Sequence, residues 1–350
     1  RIADWFRAHR SLDCQFFEEP FGLAAWREQG EIMPQRTLEA VRNADAILFG
    51  AMGGDDYDRI PATVRRAGSL LRIRRELQLY ANVRPVRAWN PLARVCPLRQ
   101  EVAAGSDLVI VRENTGGLYF GTPRGIEDAE GGQRAALNTQ RYTTAEIERV
   151  ARHAFELART RGRRVCSVDK ANVLETGQLW RATVQALHER EYRDVELAHM
   201  LVDNCAMQLV RKPIQFDVIV TDNMFGDILS DCAGAISGSL GMLPSASFGP
   251  HGADGRRKVL YEPIHGSAPD IAGQSIANPV GMILSLAMAL RHTLGRPAEA
   301  DLLEAAIGRA LAAGSRTADI AAAGDTVVGT AGMGDAVLNA LESLVAETVV

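Results

Sequence analysis

The run Phe216-Asp-Val-Ile-Val-Thr-Asp-Asn-Met-Phe-Gly-Asp-Ile-Leu-Ser-Asp231 decides the fold. Phe216 to Thr221 is short, apolar and β-branched, which reads as a buried strand. Asn223 to Gly226 reads as a turn. Asp227 and Asp231 follow, four apart on the first turns of a helix, so their carboxylates share one face. Like charges at that spacing disfavour a helix unless something positive sits between them. Oxygen ligands at the C-terminal end of a buried strand, where open α/β sheets place their ligands, suit Mg²⁺ or Mn²⁺. Taken alone, two aspartates four apart are more simply a solvated helix face. The neighbouring sequence reverses that preference.

Working outward, strand-like and helix-like segments alternate, the signature of an α/β protein. Ala46 to Phe49 reads as a strand ending in the glycine-rich Gly50-Ala-Met-Gly-Gly54. Leu70 to Leu79 reads as a helix carrying Arg72, Arg74 and Arg75. Leu108 to Arg112 is a second buried strand, and Val165 to Val168 a third, running into Asp169-Lys-Ala-Asn172. Thr144 to Arg161 is an amphipathic helix whose apolar residues follow a 3.6-residue period. Leu197 to Val210 looks partly helical, and two apolar helices are expected at 285–294 and 302–313. No G-x-G-x-x-G follows any strand, so the ordinary dinucleotide fingerprint is missing.

At 350 residues the chain has room for two domains. Its 43 acidic and 39 basic residues leave a formal charge of −4, with no excess of positive charge to attract nucleic acid. No apolar run approaches the roughly 20 residues of a membrane helix. The cysteines at 14, 96, 166, 205 and 232 have no metal-type spacing and read as reduced thiols, which points to the cytoplasm. The chain begins at Arg1 inside what looks like a helix, so an organellar targeting peptide would lie outside it.

Reactive side chains sit at the strand ends: Arg112, Lys170, the Asp227/Asp231 pair and, just beyond the second strand, Tyr119. Such a grouping marks an α/β active site. Asp203 adds a third acid. Arg74, Arg84 and Arg112 could hold two carboxylates by bidentate pairing. Singly, each of these is more simply structural; their joint placement is what points to chemistry.

With these residues in place the chain resembles the β-decarboxylating dehydrogenases of the isocitrate/isopropylmalate dehydrogenase family, and their isopropylmalate-type members most closely. The resemblance rests on Leu71-Arg-Ile-Arg-Arg75, Ala81-Asn-Val-Arg-Pro85, Val111-Arg-Glu-Asn-Thr-Gly-Gly-Leu-Tyr-Phe-Gly121 and Asp169-Lys-Ala-Asn-Val-Leu-Glu175. It continues through Val202-Asp-Asn204, Asn223 to Asp231, and Glu262-Pro-Ile-His-Gly-Ser-Ala-Pro-Asp-Ile-Ala-Gly273. It covers about residues 21 to 341.

The resemblance implies a two-domain α/β fold of the isopropylmalate dehydrogenase type, with a non-Rossmann NAD site in the interdomain cleft. Residues 1–79 with 238–350 would form a discontinuous cofactor-binding domain. Residues 80–237 would carry the substrate and metal sites and the dimer contact. By the same resemblance Arg74, Arg84 and Arg112 bind the malate carboxylates, Tyr119 and Lys170 form the acid–base pair, and Asp227 and Asp231 hold Mg²⁺ or Mn²⁺. Asp203 is implied to reach in from the partner of a homodimer as a metal ligand and proton acceptor. His265, Gly266, Ser267, Ala268, Asp270 and Asn278 look like the adenosine-side loop, with Asn172 also on the cofactor. Asp270 favours NAD over NADP, because a carboxylate accepts from ribose hydroxyls and repels a 2′-phosphate.

Leu70, Leu71 and Val173 would line the pocket for the C3 substituent. Apolar walls leave a carboxylate unsolvated, so an alkyl group is the better guest. The expected activity is oxidative decarboxylation of 3-isopropylmalate to 4-methyl-2-oxopentanoate in leucine biosynthesis. Departures keep other substrates open. Asn114 stands where isopropylmalate enzymes usually have leucine, Arg66-Ala67 replaces a customary glutamate, and Gly332 replaces another. The family's first strand and its Gly-Asp-Gly-Ile-Gly-Pro loop do not occur in this sequence. Tartrate, D-malate or another 3-alkylmalate is the alternative substrate, and a non-catalytic metabolite-binding relative is the alternative of a different class.

Overall fold

A computed structural model describes residues 1–348. The strands are β1 (Ala46–Leu48), β2 (Ala81–Arg87), β3 (Asp107–Glu113), β4 (Arg124–Ala129), β5 (Gln133–Asn138), β6 (Arg164–Asp169), β7 (Glu196–Leu201), β8 (Val218–Thr221), β9 (Pro244–His251) and β10 (Arg257–Pro263). The chain divides into two compact units. Unit 1 comprises Arg1–Leu79, Arg87–Ala104 and Gly234–Val350, and unit 2 comprises Tyr80–Val86 and Gly105–Ala233. The segment 87–104 thus falls in unit 1, not within 80–237. The reason is apolar packing: Trp89 and Leu92 are buried in the same cluster as Leu284, Leu303 and Ile307.

In unit 1, β10 runs parallel to β1 and antiparallel to β9. Helix Val280–His292 is buried nearly all round, and helix Pro297–Ala312 packs beside it. Trp5 and Phe6 of helix Ile2–Arg10 and Val337 and Leu341 of helix Thr330–Thr348 close the same core. A helix apolar on every side is stable only when enclosed in this way.

In unit 2 the strand order is β2-β3-β8-β6-β7. The pairs β3–β8, β8–β6 and β6–β7 are parallel. Leu108, Ile110, Val168, Val218 and Val220 are fully buried, as strands covered on both faces require. Helix Thr144–Arg159 turns Ile147, Val150, Ala151, Ala154, Phe155 and Ala158 inward, and a Thr143–Glu146 capping box starts it. Register aligns Arg112 with Thr221 and Val168 with Thr221, so three strands end at one edge. That edge carries the chemistry.

One local expectation is refined and another corrected. The partly helical stretch 197–210 is strand β7 over 197–201, and helix Val202–Arg211 follows at once. No turn residue separates the two, which hid the boundary. Asn223–Gly226 is not a turn but the first turn of helix Asn223–Gly234. Asp222 caps it, accepting from the Phe225 backbone N–H at 2.8 Å. Gly226 lies inside that helix because an added Cβ would sit 2.6–2.7 Å from the Arg112 side chain.

Candidate active site

Unit 2 assembles one cluster around Asp227. Arg112, at the end of β3, is 2% exposed and gives Nε and Nη2 to Asn223 Oδ1 at 3.0 and 2.7 Å. Its Nη1 donates to Asp227 Oδ1. Arg84, from β2, reaches Asn82 Oδ1 and Ser230 Oγ at 2.6 Å each. It also lies 3.3 Å from Asp227 and 3.8 Å from Asp231. The Tyr119 hydroxyl donates to Asp227 Oδ2 at 2.9 Å, and its ring faces the Arg112 guanidinium. The positive charge needed between Asp227 and Asp231 is therefore supplied by arginines from neighbouring strands.

Electrostatics follow from these contacts. Burial raises the Tyr119 phenol above its usual range, and the bond to Asp227 raises it further, with Arg112 and Arg84 opposing. The group is held as a proton donor at neutral pH. Burial also raises the Asp231 carboxyl; Arg84 opposes this and the Asp227 charge adds to it. A divalent cation would relieve that repulsion. Two carboxylates, one of them with a side chain 57% exposed, are the hard oxygen donors such a cation takes. The donor set fits Mg²⁺ or Mn²⁺.

Lys170 and Asp203 form a second cluster. Lys170 Nζ donates to Asp203 Oδ1 at 2.6 Å, which holds the Asp203 carboxyl below its usual range. The two therefore travel together within one chain. Asp203 is not gathered with Asp227 and Asp231, and among the described residues no three His, Cys, Asp or Glu side chains converge to hold a metal. Beside Lys170, Asp169 accepts both Arg181 Nε and Nη2 at 2.9 Å and the Ala171 backbone N–H, fixing the strand end. Gly177 lets the backbone pass, since a Cβ there would meet Lys170 C and Ala171 N at 2.8 Å.

Unit 1 holds most of the remaining expected residues. Arg74 is buried on helix Leu70–Glu76 and donates Nη2 to Glu262 Oε1 at 2.8 Å. Leu70 packs against the cluster of Met33, Leu38 and Ile73, so its side chain is held by the core; Leu71 is half-buried and lies outside that cluster. Val173, in unit 2, is 62% exposed, and Asn172 is exposed beside it. In the 265–278 segment His265 pairs with the Gly266 carbonyl, and Asp270 is exposed with its carbonyl taking Gln274 Nε2. Ser267 sits against Gly53, where a Cβ would lie 2.9 Å from its Oγ. Gly266 and Ala268 are exposed, Ala268 with φ of 41°. Asn278 is buried, its amide held by Asp319 Oδ2 at 3.1 Å and by the Val280 N–H. An open loop with a free carboxylate fits an adenosine with unmodified ribose hydroxyls.

Sequence reasoning passed over Asn82, Glu113, Arg181, Asn223, Ser230 and Asp319, which hold the named residues in place. Their supporting roles leave no spacing signal of their own in the sequence.

The model of the isocitrate/isopropylmalate dehydrogenase family matches residues 4–337. The chain belongs to that family. It is 59% identical over 347 residues to 3-isopropylmalate dehydrogenase 1 of Bordetella bronchiseptica, covering 99% of this chain and 94% of that one. It is 59% identical over 345 residues to 3-isopropylmalate dehydrogenase 1 of Bradyrhizobium diazoefficiens, at 99% and 91% coverage. Among solved structures, isocitrate dehydrogenase from Methylococcus capsulatus superposes with a TM-score of 0.81 at 35% identity, over 95% of this chain and 91% of that one. A β-decarboxylating dehydrogenase from Thermococcus kodakarensis gives 0.75 at 34%, over 99% and 93%. Membership of this family makes the protein a β-decarboxylating dehydrogenase.

Proposed function

We propose that this protein catalyses the NAD- and divalent-metal-dependent oxidative decarboxylation of 3-isopropylmalate to 4-methyl-2-oxopentanoate, a step of leucine biosynthesis. The observation that carries the reading is the Tyr119–Asp227 hydrogen bond with Arg84 and Arg112 against the same carboxylate. It joins a protonated acid, a metal ligand and two carboxylate binders. The identity to enzymes named for this substrate supports the choice among malates.

Arg84 and Arg112 give the substrate carboxylates the kind of donors they now give to Asp227, with Arg74 the third binder. Lys170 first gives its ammonium proton through Asp203, at 2.6 Å and with its side chain 64% exposed, to solvent, and as the free amine then takes the C2 hydroxyl proton. Asp227 and Asp231, with Asp203, would hold the cation, which would supply Lewis acidity. Residues 265–278 with Asn172 would hold NAD, which would supply the hydride acceptor. Tyr119 then protonates C3, a task that suits a phenol kept in its acid form. Leu71 faces the C3 alkyl group, while Leu70 is held in the core with Met33, Leu38 and Ile73.

The active form is a homodimer. The exposed ribbon β4–β5 presents Ile126 and Leu137, and Met207, Val210, Ile214 and Ile228 are also exposed. An isolated two-stranded ribbon is marginal in water, and a partner covering it would bury Ile126 and Leu137. The Lys170–Asp203 pair of a second copy would complete the cluster around Asp227. Turnover tests the proposal: with Mg²⁺ and NAD, 3-isopropylmalate yields NADH and CO₂ in equal amounts. NADH without CO₂ would contradict it.

A further inference from the structure

We infer that Asn223 is a positioning residue of the reaction, a single amide that aims the Arg112 guanidinium and pins the loop carrying Tyr119. Asn223 is 1% exposed at the first position of its helix. Its Oδ1 accepts both Nε and Nη2 of Arg112, and its Nδ2 donates to the Gly116 carbonyl at 3.0 Å. Its backbone N–H donates to the Tyr142 hydroxyl at 3.0 Å, which keeps the residue from turning away. A carboxamide offers an acceptor and a donor on one rigid plane; ionised aspartate keeps the acceptor alone.

The loop is gripped from both sides. Fully buried Glu113 accepts the Thr115 and Gly116 N–H groups at 3.0 and 2.7 Å, while Asn223 takes the Gly116 carbonyl. Gly116 has no room for a side chain, since a Cβ would lie 2.8 Å from the Tyr142 ring. Three residues later Tyr119 reaches Asp227, the carboxylate that also takes Arg112 Nη1. Asn223 therefore sets two partners of Asp227 through its two ends.

The kinetic consequence rests on the proposed decarboxylation; the positioning itself does not. The experiment compares the full-length protein with Asn223→Leu and Asn223→Asp, reading kcat, KM for the malate and amide hydrogen exchange over residues 114–121. Asn223→Leu raises KM roughly 10-fold or more, lowers kcat roughly 10-fold or more and speeds exchange, as expected from losing buried hydrogen bonds to a charged group and to a catalytic loop. Asn223→Asp keeps the Arg112 acceptor, so KM returns to within about threefold of wild type while kcat stays low and exchange stays fast. Unchanged exchange in Asn223→Leu overturns the inference, and so does an Asn223→Asp variant that loses KM and kcat alike. Wild-type protein silent on every malate would remove the functional reading alone, because exchange still decides the positioning.

Discussion

Tyr119 and Asp203 carry opposite burdens. The phenol is drawn into a half-buried cluster, whereas Asp203 sits in solvent paired with Lys170. Exposed ion pairs add little to stability. Asp203→Asn should therefore leave the melting temperature unchanged while kcat collapses, and Tyr119→Phe should lower kcat by about 10²- to 10⁴-fold with little change in substrate KM. Steady-state kinetics beside thermal melts check both. At this scale the chemical residues were legible because each stands in a spaced motif. Their supports were not: Asn223, Glu113 and Arg181 meet their partners only through the folded chain. Leu70 shows the same limit, since periodicity cannot say whether a helical leucine faces a core or a ligand.

The β8 strand and the helix after it meet at Asp222, which caps that helix from a buried position and accepts Gln140 Nε2 at 2.8 Å. Burial pushes its carboxyl up to about 6. The folded state thus holds the proton more tightly than the unfolded chain, so the group's stabilisation is present below about pH 4 and is lost as pH rises through about 6. Asn caps a helix as well as Asp does. Asp222→Asn should raise stability at pH 8 by about 1–3 kcal/mol, and the gain should vanish near pH 4. Urea melts across that range give the sign. The parallel strands of unit 2 were legible as unbroken apolar runs, because both faces are covered. Edge strand β7 was not: its half-exposed residues mimic a helix face and lead straight into helix Val202–Arg211.

For the whole molecule, the proposed homodimer would bring the Lys170–Asp203 pair of one copy to the Asp227 cluster of the other, and activity would then depend on association. Met207→Arg with Val210→Arg, three apart on one helix face, should give a folded protein that sediments as a single chain and turns over poorly. Mixing it with wild type would not restore its share of activity. A division near residue 80 was implied by the family resemblance, but the return of 87–104 to unit 1 depends on where Trp89 and Leu92 find their core. The substrate is the central claim, and Leu71 against Asn114 is its sharpest tension. One measurement tests it most directly: kcat/KM with Mg²⁺ for 3-isopropylmalate, D-malate, tartrate and isocitrate, each with NAD and NADP. We expect 3-isopropylmalate with NAD to lead by about tenfold or more, the worth of an alkyl group in an apolar pocket. A lead for D-malate, tartrate or isocitrate would contradict the account.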